Sequence, residues 1–381
     1  MSPQNSTLGL IGGDFKSTFN RARQRSGIYR PEDNAYIRNY VNRIDNFFYT
    51  GNSFTYTGTS SPTTLSSIFI RPNNTQLFSC SGFDTDGQRT VSNDSSAIFS
   101  NTFTKAGQIS TLSSTTKKPT AWQTGGSSGR VWYPEPLGLS FNPDGTQLIL
   151  CGNLVEIPFA STPIDRGPII YQYTLSTPWN ITTIDGSSTW SYGGTNYGAV
   201  TINPTFYSNP PSKIYYFETP PAAITPTASL KVQDIFVHPD GLVFYYIRNN
   251  ILYQGSISSA WDIGVNGANL NTNIASLTID PNLVSSATVI GSFSGFTFNT
   301  TGTKLYVTSR LYGGTILQYN LNTAWDITTA SFETFLYVGE FKSESQGTGK
   351  RAIILDDGET MIHSTVNVTT SILYEYKLLP Y

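Results

Sequence analysis

The chain has 381 residues, a formal net charge of −2 and a pI near 5.7, a balance that argues against a general nucleic-acid binder. Charged residues make up only 13%, about half the usual share of roughly 25%, and no run of about 18 apolar residues is present, so no membrane insertion is expected. The polarity comes from Ser, Thr, Asn and Gln, with 33 Gly, 21 Pro, 23 Tyr and 22 Phe; a chain rich in strand and turn formers and poor in Ala, Glu and Lys predicts an all-β fold.

Residues 1–45 hold seven basic side chains (Lys16, Arg21, Arg23, Arg25, Arg30, Arg38, Arg43) against four acidic ones, a surplus of three on a chain that is otherwise weakly acidic. The first thirty residues read as an extended arm, one that orders against a partner. In the following "RPEDNAYIRNYVNRID", Pro31 with Glu32 and Asp33 suits a first helical turn, and Tyr36, Ile37, Tyr40, Val41 and Ile44 fall at helical spacings, so a short helix is expected. Lys16, Arg21, Arg23, Arg25, Arg30, Arg38, Tyr36 and Tyr40 are the candidate partner-binding residues. The opening "MSPQNSTLGLIGGDFK" lacks a charged start followed by an apolar core. A chain of extracellular composition without an export signal fits assembly inside a cell and release by lysis.

From residue 46 onward the sequence repeats. "IFIRPNNTQLFSC" at 68, "LSFNPDGTQLILC" at 139, "IFVHPDGLVFYY" at 235, "FTFNTTGTKLYV" at 296 and "AIILDDGETMIH" at 352 are each an apolar strand, a tight turn and a second apolar strand. A weaker sixth copy ends at Ile202 in "VTINPTF". A third strand follows each hairpin, and then a tryptophan phrase: "QYTLSTPWNITTI" at 172, "QGSISSAWDIGV" at 254 and "QYNLNTAWDITTAS" at 318. Four strands recurring every 50–70 residues or so describe a β-propeller of five to six four-stranded blades, with seven possible. The last copy stops at its third strand, "SILYEYKLLPY", while "NFFYTGNSFTY" (residues 46–56) precedes the first hairpin. Residues 46–56 are therefore expected to supply the missing outer strand of the last blade and remove an exposed edge. The domains read as 1–45, arm and short helix, and 46–381, propeller.

The repeated residues have two readings. In the structural one, Trp179, Trp261 and Trp325 pack between blades, Asn180, Asp262 and Asp326 hold local turns, and Asp144–Gly145, Asp240–Gly241 and Asp357–Gly358 make the hairpin turns. In the functional one, the tryptophans form one sugar pocket per blade, with Asp accepting from hydroxyls. Cys80 and Cys151 align in the repeat and read as buried free thiols rather than a disulfide, and neither has zinc-ligand spacing. His238 and His363 are too few for a catalytic set, and "DTDG" at 84 lacks the rest of a calcium loop. No cofactor and no metal are expected. The Asn-x-Ser/Thr triplets, such as Asn93–Ser95 and Asn367–Thr369, are those expected by chance.

"FNPDGTQLIL", "FNTTGTKLYV" and "QYNLNTAWDITTAS" resemble a propeller repeat common in marine phage and bacterial open reading frames, whose usual form is an F-x-PDGTK-LYV hairpin followed by QY-x-L-STAWDI-ST-AS. The resemblance covers roughly residues 60–381; the first blade has no clear Trp phrase and the Ile202 copy is eroded. It implies a non-enzymatic structural protein of a tailed-phage virion, tail-associated (nozzle, fibre, baseplate or adaptor region) rather than a capsid decoration. The arm would anchor it to other virion proteins and to copies of itself. The alternatives are a glycan-binding propeller for host attachment and a propeller glycosidase or lyase.

Overall fold

In the computed structural model the protein is a five-bladed β-propeller, and the residues described are 44–378 without 57–64, 82–95, 125–129, 159–163, 187–188, 193–194, 202–209, 212, 218–230, 281–282, 284–291, 311–313, 339–347, 356 and 368–369. The arm and the helix expected before Ile44 lie outside them, as does the "DTDG" stretch. Blade 1 is Leu65–Ile70, Gln76–Ser81, Ala97–Phe103 and Leu112–Pro119; blade 3 is Asp234–Val237, Val243–Arg248, Ile251–Ile257 and Leu270–Thr278; blade 4 is Phe293–Phe298, Lys304–Ser309, Thr315–Leu321 and Ala330–Tyr337. In each, successive strands pair antiparallel. Blade 5 takes Thr348–Ile354, Thr360–Asn367 and Thr370–Leu378 from the end of the chain and Phe47–Thr55 from its start. Phe47 pairs Leu378 and Thr55 pairs Ile372, so the expected closure is present.

Blade 2 departs from the pattern. Its first three strands, Arg130–Phe141, Gln147–Ile157 and Ile164–Leu175, are about twice as long as their counterparts in blade 1, and its outer edge is split between Ile184–Asp185 and Lys213–Tyr216. Trp122–Thr124 pairs with the beginning of the long first strand, and Thr195–Thr201 and Thr189–Tyr192 extend the sheet beyond it. The strand read as a sixth hairpin is thus real, but Val200 and Thr201 pair with Thr124 and Gln123. Val200 and Thr201, the described part of that copy, belong to an accessory sheet on blade 2 and not to a sixth blade, and the propeller has five blades.

The core divides by interface. One apolar cluster lies between each pair of neighbouring blades: Phe78 and Ile98 with Leu139 and Tyr171, Ile149 and Ile170 with Ile235 and Phe244, Tyr245 and Ile247 with Phe296 and Leu305, Tyr306 and Ile316 with Met361 and Tyr374, and Ile362 and Leu373 with Leu65 and Leu77. The inner strands of each blade therefore bury both faces and read as apolar runs, whereas outer strands such as Leu270–Thr278 and Phe47–Thr55 alternate between partly buried and exposed positions. Cys80 and Cys151 are free and fully buried in two successive interfaces, where burial pushes both thiols well above their ordinary value.

Candidate functional site

The five hairpin turns and the segments after the third strands occupy the same end of the blades and form one repeated device. In every hairpin the first turn residue (Arg71, Asn142, His238, Asn299, Leu355) receives a backbone bond from the residue three on: Asn74, Gly145, Gly241, Gly302, Gly358. Those residues have positive φ, from 55° to 77°, the geometry that glycine and asparagine tolerate. The Asp144 carboxylate accepts from the Thr146 backbone N–H at 2.9 Å, Asp240 from Leu242 at 2.8 Å and Asp357 from Glu359 at 2.8 Å. These bonds, with the side-chain hydroxyls of Thr146 and Thr360 on Asp144 and Asp357, hold all three carboxyls below the usual carboxylate range against partial burial.

The tryptophan phrase closes over this turn. Trp179, Trp261 and Trp325 donate their backbone N–H to the carbonyls of Gly145, Gly241 and Gly302 at 2.9–3.0 Å. Their indoles cover those glycines so closely that an added Cβ would lie 2.1–2.3 Å from the ring. All three tryptophans have positive φ, 63°, 56° and 67°, an unfavourable setting for a bulky residue. Asn180 and Asp326 then accept from the N–H of Thr182 and Thr328 at 3.1 and 2.9 Å. Asp262 accepts instead from Gly264 at 2.7 Å and meets Lys213 at 2.8 Å, and that lysine holds its carboxyl below the usual range.

The rings are used in packing. Trp179 is 7% exposed among Phe69, Phe78 and Phe141, with the Arg71 guanidinium 5.0 Å from its centroid; Trp325 stacks on Phe236 of the preceding blade at 5.8 Å and meets His238 edge-on at 4.6 Å. Trp261 donates its indole N–H to the Pro239 carbonyl at 3.2 Å. The geometry is that of inter-blade packing.

Two features were not foreseen from sequence. The first is a ring of clamps. The third-strand side chain three residues before its last apolar position accepts from the isoleucine N–H in the next blade's phrase: Gln172 from Ile263 at 3.0 Å, Gln254 from Ile327 at 3.4 Å, Gln318 from Ile44 at 2.7 Å and Glu375 from Ile109 at 3.3 Å. Ile109 identifies the phrase of blade 1, Gly107-Gln108-Ile109, in which Gly107 takes the tryptophan position: its φ is +71° and its N–H bonds Asn74 O. Ile44, in the one-turn 3-10 helix Ile44–Asn46, identifies the phrase of blade 5, so the propeller begins two residues before the boundary read from sequence. In blade 1 the clamp position is Ser100, which is too short to reach Ile181.

The second feature is a central ion pair. The first strands of neighbouring blades touch all the way round the ring, closely enough that an added Cβ on Gly295 would sit 2.3 Å from Lys350 O. At their meeting point Arg351 Nη1 lies 3.1 Å from Asp234 Oδ1, 3.2 Å from Ser67 Oγ and 3.4 Å from Leu139 O, while Asp234 Oδ2 accepts from the Phe296 N–H at 3.1 Å. One group from each of the five blades meets here. Burial pushes the Asp234 carboxyl up to about 6, and Arg351 with the backbone donors holds it from rising further. His363 is also fully buried, both ring nitrogens without a hydrogen-bond partner among the described residues, and burial drives it down to about 3. It is neutral at physiological pH.

Among the described residues no group of His, Cys, Asp and Glu is arranged to hold a metal ion. No family model matches the chain, and no curated protein matches it. Among solved structures it is similar to the periplasmic gluconolactonase of Pseudomonas aeruginosa, at 11% identity and a TM-score of 0.36, over 81% of this chain and 66% of that one. At that score the likeness carries no argument about activity, and the propeller assignment rests on the strand pairings above.

Proposed function

We propose that the protein is a non-enzymatic structural component of a tailed-bacteriophage particle, tail-associated, with the propeller presented on the particle surface and the basic N-terminal segment engaging neighbouring virion proteins. The observation that carries the reading is how the N-terminal segment meets the disc. Ile44 is clamped by Gln318, and Phe47–Thr55 is built into blade 5, so whatever precedes residue 44 leaves a rigid body from a fixed point. That suits an anchor. The repeat resemblance supports the phage assignment. The centre supports a structural role: its Asp234 carboxylate is occupied by Ser67, Ile235, Phe296 and Arg351, and an acid or base needs a free oxygen facing substrate.

Mass spectrometry of density-purified particles, set against the cleared supernatant, tests this. Stoichiometric enrichment in particles, lost when residues 1–43 are deleted, is the expected result. A protein found only in the supernatant would end the structural reading.

A further inference from the structure

The clamp ring is complete at four interfaces and open at one, between blades 1 and 2. There Ser100 stands where the others carry Gln172, Gln254, Gln318 and Glu375. Among the described residues the Ile181 N–H that such a group would receive has no hydrogen-bond partner. A cleft of about 460 Å³ occupies this position, lined by Arg71, Gln76, Ser100, Thr102, Thr116 and Trp179. That volume exceeds what one missing amide would leave and falls within the roughly 300–1,000 Å³ of small-molecule sites.

The chemistry of the walls narrows the occupant. The missing protein group is an acyl oxygen, supplied elsewhere three times by an amide and once by a carboxylate. Arg71 stands beside the vacancy, anchored by Nη1 on Gln76 Oε1 at 3.1 Å and by its guanidinium over the Trp179 ring. Among the described residues it is the only charged one lining the cleft. Its remaining N–H groups and the Ile181 N–H are donors suited to a carboxylate. The hydroxyls of Ser100, Thr102 and Thr116 suit a polyhydroxylated ring. We infer that this inter-blade cleft binds a carboxylate-bearing monosaccharide, its carboxylate between Arg71 and Ile181 in place of the absent clamp. The inference does not depend on where the protein resides.

The test is ligand-observed saturation-transfer NMR on the full chain with glucuronate, glucose and acetate at equal concentration. Glucuronate is expected to give transfer and glucose little. Arg71→Gln is expected to weaken glucuronate binding about tenfold or more, the scale of a lost charge-assisted bond. Ser100→Gln restores the clamp, so it is expected to abolish binding while raising the unfolding temperature. Equal signals for glucose and glucuronate, or for acetate and glucuronate, overturn the assignment of ligand class. Absence of all binding, or glucuronate binding that persists in Ser100→Gln and Arg71→Gln, overturns the site.

Discussion

Trp179, Trp261 and Trp325 share a backbone conformation that side chains avoid, with φ between 56° and 67°. A left-handed residue with a Cβ costs about 1–2 kcal/mol. The same strain in three blades marks an architectural device: only this conformation lets the backbone N–H reach the turn carbonyl while the indole lies over the turn glycine. Blade 1 reaches the same backbone geometry with Gly107 and no ring. A substitution order follows that inverts the usual one. Trp325→Ala loses the ring and keeps the strain, and is expected to cost about 3 kcal/mol. Trp325→Gly loses the same ring but relieves the strain, so it should be more stable than the alanine variant by about 1 kcal/mol. Urea unfolding of the two variants decides it; an alanine variant at least as stable as the glycine one would show that the backbone relaxes.

At the scale of the strand, Phe47–Thr55 protects the edge of Thr370–Leu378 and carries the Ile44 clamp with it. Deleting residues 1–43 leaves every described contact in place, and the thermal midpoint is expected to stay within a few degrees. Deleting residues 1–56 bares the edge and leaves Gln318 without Ile44; a lower midpoint and self-association are expected, read by calorimetry and light scattering. The strand was legible in the sequence because an incomplete last repeat and a spare first strand are both visible in one dimension. The hairpins were legible because turn chemistry is local: Asp-Gly and Asn-Asn announce it within four residues. "VTINPTF" misled for the same reason in reverse. Its strand exists, but its partner is Thr124 and Gln123, far away in sequence. The Gln at the head of each Trp phrase was visible, but a side chain reaching into the next blade has no local signature. Gly107 hid the phrase of blade 1 because the indole that marks the others is absent.

Over the whole molecule, the Asp234–Arg351 pair ties five blades together from positions 117 residues apart, each immediately before its hairpin motif, where the other copies carry Ser67, Gly138 and Gly295. Repetition aligns the position but not the chemistry: differing residues at one repeat position do not announce that two of them pair across the centre. Arg351→Met leaves the aspartate buried without its cation, expected to cost about 3–5 kcal/mol at pH 7.5. The pH dependence has a definite sign. The Asp234 carboxyl, already raised to about 6 by burial, rises further without Arg351, so the folded state takes up a proton that the unfolded chain releases near 4. Stability lost in the variant should therefore be regained in part as pH falls from 7.5 to 5, and the gap to the wild type should narrow. Adding Asp234→Asn should recover much of the loss at pH 7.5. Denaturant midpoints at the two pH values check this, and a gap that widens at pH 5 would contradict it.

The seam in blade 5 also imposes an order in time. Thr50 and Glu375 bond across 325 residues. At about 5–20 residues per second of synthesis, the strand made first waits roughly 15–65 s for the strand it must join. Until Thr370–Leu378 leaves the ribosome the disc is an open arc, with the flanks of blades 1 and 4 bare. A chain broken off early cannot hide that condition. The ring shuts only once Thr370–Leu378 has been made, and the exposed flanks of a copy cut short before it are what a chaperone or a protease would recognise.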